Sequence, residues 1–241
     1  MHSKLKVPYL GSGSKMQAKL RYIILFLFLF FTAADARAPV RPLEPAFKAM
    51  EKKNWDKAFL LADKDGDLGH YIILWHYLRE GLGRPDQALN FLKQNSDWPG
   101  LPYLMKRSEK TFFNASDDQV LAFFEFGKPQ TGLGSLVHAL ALKRDGQKFK
   151  AGLVAQAAWA DQSMNKATTV KIFENFRTSL LPLIENRFEF LLWEKDKASL
   201  NAMSFLLSDI QKAVADTVFS LYANKKNVSS KINSLPTKWK K

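Results

Sequence analysis

A chain of 241 residues that is 46% hydrophobic carries enough apolar material for one large or two small folded domains, which excludes a disordered chain. The absence of cysteine excludes disulfides, thiolate metal sites, cysteine nucleophiles and thiol redox motifs. With 36 basic against 23 acidic residues the net charge is +13, which suits nucleic acid, a phospholipid surface or an anionic wall polymer and does not choose among them.

The first segment narrows that choice. Lys15, Lys19 and Arg21 lead into the apolar run Tyr22 to Phe31, followed by small residues from Thr32 to Ala38. This is the three-part layout of a secretory signal peptide, and the run is short of the roughly 20 residues that span a bilayer. Ala34-Asp35-Ala36 is the best small-x-small site, so residues 1–36 read as a signal peptide cleaved after Ala36, with Met16 as the expected initiator. The segment holds five cations and one carboxylate, so its removal lowers the net charge from +13 to +9. The expected location is the periplasm, without a stable membrane span after cleavage.

Residues 37–45 are a Pro-rich lead-in (Pro39, Pro42, Pro45). From 46 to 224 apolar residues recur at helical spacing. Tyr71, Leu74, Trp75 and Leu78 make one stripe, Ala151, Val154, Ala155, Ala158 and Trp159 another, and Ile210, Ala213, Val214, Thr217, Val218 and Leu221 a third. No stretch alternates at period two, so the fold class is all-α. Asn95 and Ser96 stop the helix that carries Ala88, Leu89, Phe91 and Leu92, and Pro99 and Pro102 forbid its continuation. Trp98, held out of the helical region by Pro99, is expected to plug the corner. Ser116-Asp-Asp-Gln119 is a capping box before Val120, Leu121, Phe123 and Phe124, with Gly127 and Pro129 ending that helix.

A faint repeat is present. Gly83-Arg-Pro-Asp-Gln-Ala88 and Gly146-Gln-Lys-Phe-Lys-Ala151 share a glycine, an intervening four and an alanine; Trp55-Asp-Lys-Ala58 and Lys195-Asp-Lys-Ala198 are looser versions. The gaps between these alanines are 30, 63 and 47, of which the first two fit a unit of about 31 residues, near the tetratricopeptide length. The architecture expected is therefore an irregular, tetratricopeptide-like superhelix (solenoid) of short helix pairs. Residues 225–241 read as a basic tail or a truncated next helix, frayed at Lys238-Trp-Lys-Lys241, and the open superhelix end predicts self-association.

Chemistry-bearing motifs are sparse. The acidic turn Asp63-Lys-Asp-Gly-Asp67 has Leu68 and Leu74 where a calcium loop needs glycine and glutamate, so it reads as a helix connector. His2, His70, His76 and His138 include no pair at zinc spacing, and His76 beside an apolar stripe reads as a packed or rim residue. There is no Gly-rich phosphate loop, no Gly-x-Ser-x-Gly elbow and no recognised nucleic-acid module. Lys106-Arg107 and Lys225-Lys226 read as solvated helix faces. No metal, no cofactor and no nucleic-acid partner is expected.

Several landmarks together resemble the N-terminal superhelical region of soluble lytic murein transglycosylases of the Slt family. They are Trp55-Asp56-Lys57-Ala58, Trp75, Phe91-Leu92 with Asp97-Trp98-Pro99-Gly100-Leu101-Pro102, Glu109, Pro129-Gln130-Thr131-Gly132-Leu133-Gly134, Ala158-Trp159, and Arg187 with Leu191-Leu192-Trp193. The likeness runs from about Ala46 to the end and covers the family's opening helices. Family members cleave peptidoglycan glycan strands to 1,6-anhydromuramyl products with one glutamate, in a C-terminal lysozyme-like domain bearing Glu-Ser and Gly-Leu-Met-Gln motifs. Neither motif occurs here; Glu174, Glu185, Glu189 and Glu194 are followed by Asn, Asn, Phe and Lys. The resemblance therefore implies no catalytic residue, and a structural role for its landmarks. It implies an exported, non-catalytic module that associates with peptidoglycan or cell-wall proteins. The alternatives are a helical-repeat protein-binding adaptor and a transglycosylase subunit or relic.

Overall fold

The computed structural model describes residues 43–239, and within them the chain is all-helical, with no strand. The expected signal peptide, the cleavage site at Ala36, Pro39 and Pro42 of the lead-in, and Lys240 and Lys241 lie outside the described residues. No described helix is long and apolar enough to cross a membrane.

In chain order the helices are α1 (Glu44–Glu51), α2 (Trp55–Ala62), α3 (Gly66–Arg79), α4 (Pro85–Gln94), α5 (Leu101–Ser108), α6 (Asp117–Phe124) and α7 (Gly132–Arg144). They are followed by α8 (Lys148–Asp161), α9 (Lys166–Leu180), α10 (Ile184–Trp193), α11 (Lys197–Ala202), α12 (Asp209–Tyr222) and α13 (Val228–Ser234). Packing is between near neighbours in the chain: α2 on α3, α3 on α5, α6 on α7, α7 on α8, α8 on α9 and α10, and α9 on α11.

The turns recur. At Lys53, Gly81, Gly146, Lys195 and Asn224 the backbone takes a positive φ just past a helix end. At each, two bonds of the Schellman type close the helix, as in Gly146 N to Lys143 O and Gln147 N to Leu142 O. In three of them the next residue, Asn54, Gln147 or Asp196, is at once the N-cap of the following helix.

The alanines of the expected repeat can be placed against these helix starts, and one of them is out of register. Its anchor is the residue four after the N-cap, whose amide bonds back to the N-cap carbonyl. Ala58, Ala88 and Ala151 hold that place and are buried. In the fourth unit the N-cap is Asp196, so the anchor is Leu200, 4% exposed, and Ala198 faces solvent. Lining up Lys195-Asp-Lys-Ala198 by its alanine misses the register by two residues.

Two apolar cores lie on either side of α7. Val137 and Ala141 join Leu78, Phe91, Phe112 and Phe123 in the first; Leu136, Ala139 and Leu142 join Trp159, Ile172, Phe188 and Leu191 in the second. A helix apolar on every side is a buried one, and α7 serves as the wall between them.

The chain's later stripes differ in part from expectation. On α12 the buried residues are Val214, Ala215, Thr217 and Ser220, whereas Ile210 and Leu221 are exposed. The expected fraying at Lys238-Trp239 is also corrected: Leu235 is buried, and the Trp239 ring meets Phe188 edge-on at 6.0 Å within the second core. Lys106 and Arg107 are exposed, as expected of a solvated helix face, and the Arg107 guanidinium in addition donates to the carbonyls of Arg79 and Glu80 at the end of α3.

Candidate functional site

Most of the landmark residues fall into two places, a polar seam and an aromatic groove. The seam begins at Glu109, one residue past α5, which is 1% exposed. Its carboxylate accepts from the Gln130 amide at 2.6 Å and from the Thr131 hydroxyl at 2.5 Å. Thr131 is the N-cap of α7, and its oxygen accepts in turn from the Gly134 amide at 3.0 Å. Gln130 reaches back to the Pro102 carbonyl with its side chain.

The two glycines explain the spacing Gly132-Leu-Gly134. A Cβ at Gly134 would stand 2.2 Å from Glu109 Oε2, and a Cβ at Gly132 would stand 2.5 Å from Met164 Cγ. The first turn of α7 is clasped on one side by Glu109 and on the other by the Ser163-Met164 turn, and only glycine fits at either contact.

From there the seam continues. Gln162 donates to the Pro129 carbonyl and accepts from Ser135 Oγ at 2.7 Å. Arg187, 1% exposed, donates to the carbonyls of Trp159 and Gln162, and its guanidinium lies 4.7 Å from the Trp159 ring. Ser163 donates to Asp196, whose other oxygen caps α11 at Ser199, and Ser199 Oγ accepts from the Met164 amide. Pro129, Thr131, Gly132, Trp159 and Arg187 thus help to join the segment after α5 to the start of α7, and both to the end of α8 and to α10.

The electrostatics follow from burial. Desolvation pushes the Glu109 carboxyl above its ordinary range, against the opposing pull of Thr131 and the two backbone donors. Burial lowers Arg187 to about 10, with Asp196 and Asp161 opposing. Burial opposes ionisation of Asp196, but the bonds from Ser163 and Ser199 and the nearby Arg187 hold it below the usual carboxylate range. A perturbed, buried acid such as Glu109 is a common mark of catalysis. Here both its oxygens are engaged and α7 covers them, so its role is to join elements.

The groove is built from α3 and the α4–α5 connection. Asn95 ends α4, Gly100 (φ 71) is the N-cap of α5, and Pro102 sits in its first turn, as the proline spacing requires. Leu68, Ile72, Trp75 and His76 form one wall and Asp97, Trp98 and Pro99 the other, enclosing an open cleft of about 360 Å³. The Trp75 indole donates to the Pro99 carbonyl at 3.1 Å, and Trp98 packs edge-on against Phe91 and Trp75, which is the corner plug expected of it. The Arg79 guanidinium lies 4.1 Å from the Trp75 ring and 5.1 Å from the half-exposed Tyr103. Burial first, and Arg79 second, lower His76 below its ordinary value, so its imidazole is neutral at pH 7. Aromatic faces with a neutral imidazole, a carboxylate and a guanidinium at the rim can hold the apolar face of a sugar or a proline-rich segment.

Trp55 and Trp193 join neither place. Trp55 packs edge-on against Tyr77 at 5.1 Å, and Trp193 is 79% exposed at the end of α10. The acidic turn at Asp63 is a 3₁₀ connector whose first carboxylate meets His70 Nδ1 at 2.7 Å. Among the described residues no three His, Cys, Asp or Glu side chains are placed to hold a metal. Sequence reasoning missed Gln162, Ser163 and Ser199; only the Asp196-Lys-Ala-Ser199 cap was there to be read.

Comparison with protein-family models, with curated proteins and with solved structures returned no match.

Proposed function

We propose that the chain is an exported, non-catalytic helical-repeat module of the periplasm that associates with peptidoglycan or with the enzymes that work on it. The observation that carries this reading is the Trp75–Trp98 groove, an aromatic cleft with hydrogen-bonding groups at its rim. The expected net charge of +9 after signal removal would draw it to an anionic wall polymer. The resemblance to the superhelical part of lytic transglycosylases has its own support. Landmarks scattered from Glu109 to Arg187 meet in one bonded seam, as a structural signature would. Neighbour-to-neighbour packing and recurrent turns likewise favour a superhelix of helix pairs.

The test is sedimentation of the exported chain with isolated peptidoglycan sacculi at low and high salt, with soluble anhydro-muropeptides assayed alongside. Binding at low salt, weakened by salt and reduced severalfold by Leu68→Glu at the groove mouth, is the expected outcome. Leu68 is 64% exposed, so that change leaves the fold intact. Absence of binding sinks the wall reading, and release of anhydro-sugars beyond a mock-purified control sinks the non-catalytic one.

A further inference from the structure

Helix α8 carries a second apolar stripe that the fold does not use. Ala151, Ala155, Ala158 and Trp159 are buried, while Phe149 at 80%, Leu153 at 49%, Ala157 and Ala160 line the opposite, exposed side. Between Lys150 and Asp161 the helix has no charged residue. An exposed face of this kind, running from Phe149 to Ala160 and ending in two alanines, offers close approach to another helix. A surface selected only for solubility would carry charge there.

Beside the stripe an open groove of about 420 Å³ runs between α6, α7 and α8. Leu153 and Val154 form its near wall, Leu121, Phe124 and Leu142 its floor, and His138 stacks on Phe124 at 4.4 Å with no hydrogen-bond partner for Nδ1. Glu125, Gln147 and Lys150 stand at its edges.

The charges around the stripe identify its occupant. Lys148 and Lys150 lie in the first turn of α8, which holds no acid, and Asp161 ends it. This is the reverse of what the helix dipole favours, so these lysines gain no stabilisation from α8 and leave a positive charge at its exposed start. They flank Phe149, the most exposed large apolar side chain of the face. A second copy would bring the same lysines and the same positive field. A bilayer surface would not fill a recessed groove.

We propose that this face docks an α-helix of a partner protein, one that lays an apolar stripe over Phe149, Leu153, Ala157 and Ala160 and carries acidic residues against Lys148 and Lys150. The site is distinct from the Trp75–Trp98 groove and does not depend on wall binding.

The probe is a synthetic amphipathic peptide of about 18 residues, five helical turns, with a Leu/Ala stripe flanked by glutamates; its control carries lysines instead. Fluorescence anisotropy with the full chain should show the acidic peptide binding at least ~10-fold more tightly than the basic one. Phe149→Ser and Leu153→Ser should each weaken it about 10-fold, without moving the thermal midpoint. The charge reversal Lys148→Glu/Lys150→Glu should abolish the preference for the acidic peptide. No binding, equal binding of both peptides, or indifference to these substitutions overturns the proposal. So does co-sedimentation with phosphatidylglycerol vesicles, or a concentration-dependent dimer, that Phe149→Ser abolishes while peptide binding is absent.

Discussion

Arg187, from the middle of α10, donates through Nη1 to the carbonyl of Trp159 at 2.5 Å, and so closes the C-terminal end of α8 from a different helix. The last carbonyls of a helix lack intrahelical donors and carry the negative end of its dipole, so a buried cation there is compensated without a direct carboxylate. Replacing Arg187 by Met should cost about 3 kcal/mol, because a buried carbonyl at Trp159 and a part-buried one at Gln162 lose their donors while most of the volume is kept. Lysine should not restore it, since one ammonium cannot reproduce the two-pronged geometry. Urea unfolding of the three proteins measures both effects.

Gly134 and Glu109 form a second obligate pair. Gly134→Ala drives a methyl into the Glu109 carboxylate and should cost about 2–3 kcal/mol. Glu109→Ala removes the clash along with the bonds. The double variant should therefore be less destabilised than the sum of the singles, by at least ~1 kcal/mol, and additivity in the cycle would refute the contact.

Glu109 also sets a pH dependence. Its folded pKa is raised by burial, so the folded state holds this proton more tightly than the unfolded state. The stability it contributes is complete below the ordinary glutamate value and is lost as pH rises through the raised one. Glu109→Gln should flatten that segment of the stability-against-pH curve, seen by denaturation at stepped pH.

His138 acts in the opposite sense. Burial against Phe124 lowers its pKa from 6.5 to about 4, so the fold prefers the neutral ring. That contribution is complete above pH 6.5 and is lost as pH falls toward 4. An imidazole titration followed by NMR should show a midpoint near 4, and His138→Phe should remove the loss on acidification.

The repeat register gives a sharper contrast. Leu200→Ala should cost about 2–4 kcal/mol, as for a buried leucine, while Ala198→Leu at the solvent-facing position should change stability by less than ~0.5 kcal/mol. A large effect at 198 and none at 200 would restore the alignment that the spacing of alanines suggests.

That pair shows where sequence reading stops. Helices, the capping box at Ser116 and the break from Asn95 to Pro102 were legible because each is written in local chemistry: period, cap and proline. The register at Leu200 was not, because a positive φ at Lys195 does the work that glycine does at Gly146, and nothing in a lysine announces it. The face of α12 was misjudged for a related reason. Val214 and Thr217 of the expected stripe do face inward, but Ile210 and Leu221 are exposed; Ser220 takes an inward place instead, and its hydroxyl accepts from Lys231 of α13, a partner that no local pattern announces. The seam lay partly in view, since the Pro129–Gly134 motif was conspicuous. Gln162 was invisible, because an amide joining Pro129 to Ser135 has no sequence neighbourhood to betray it.

The shared position of α7 has an evolutionary corollary. An all-helical chain changes length most readily where the change leaves the interior intact, but a helix that completes the interior on both of its sides cannot be excised without opening two cavities at once. Duplications and deletions within this lineage should spare the segment from Gly132 to Arg144. Length variation among descendants should accumulate on either side of it.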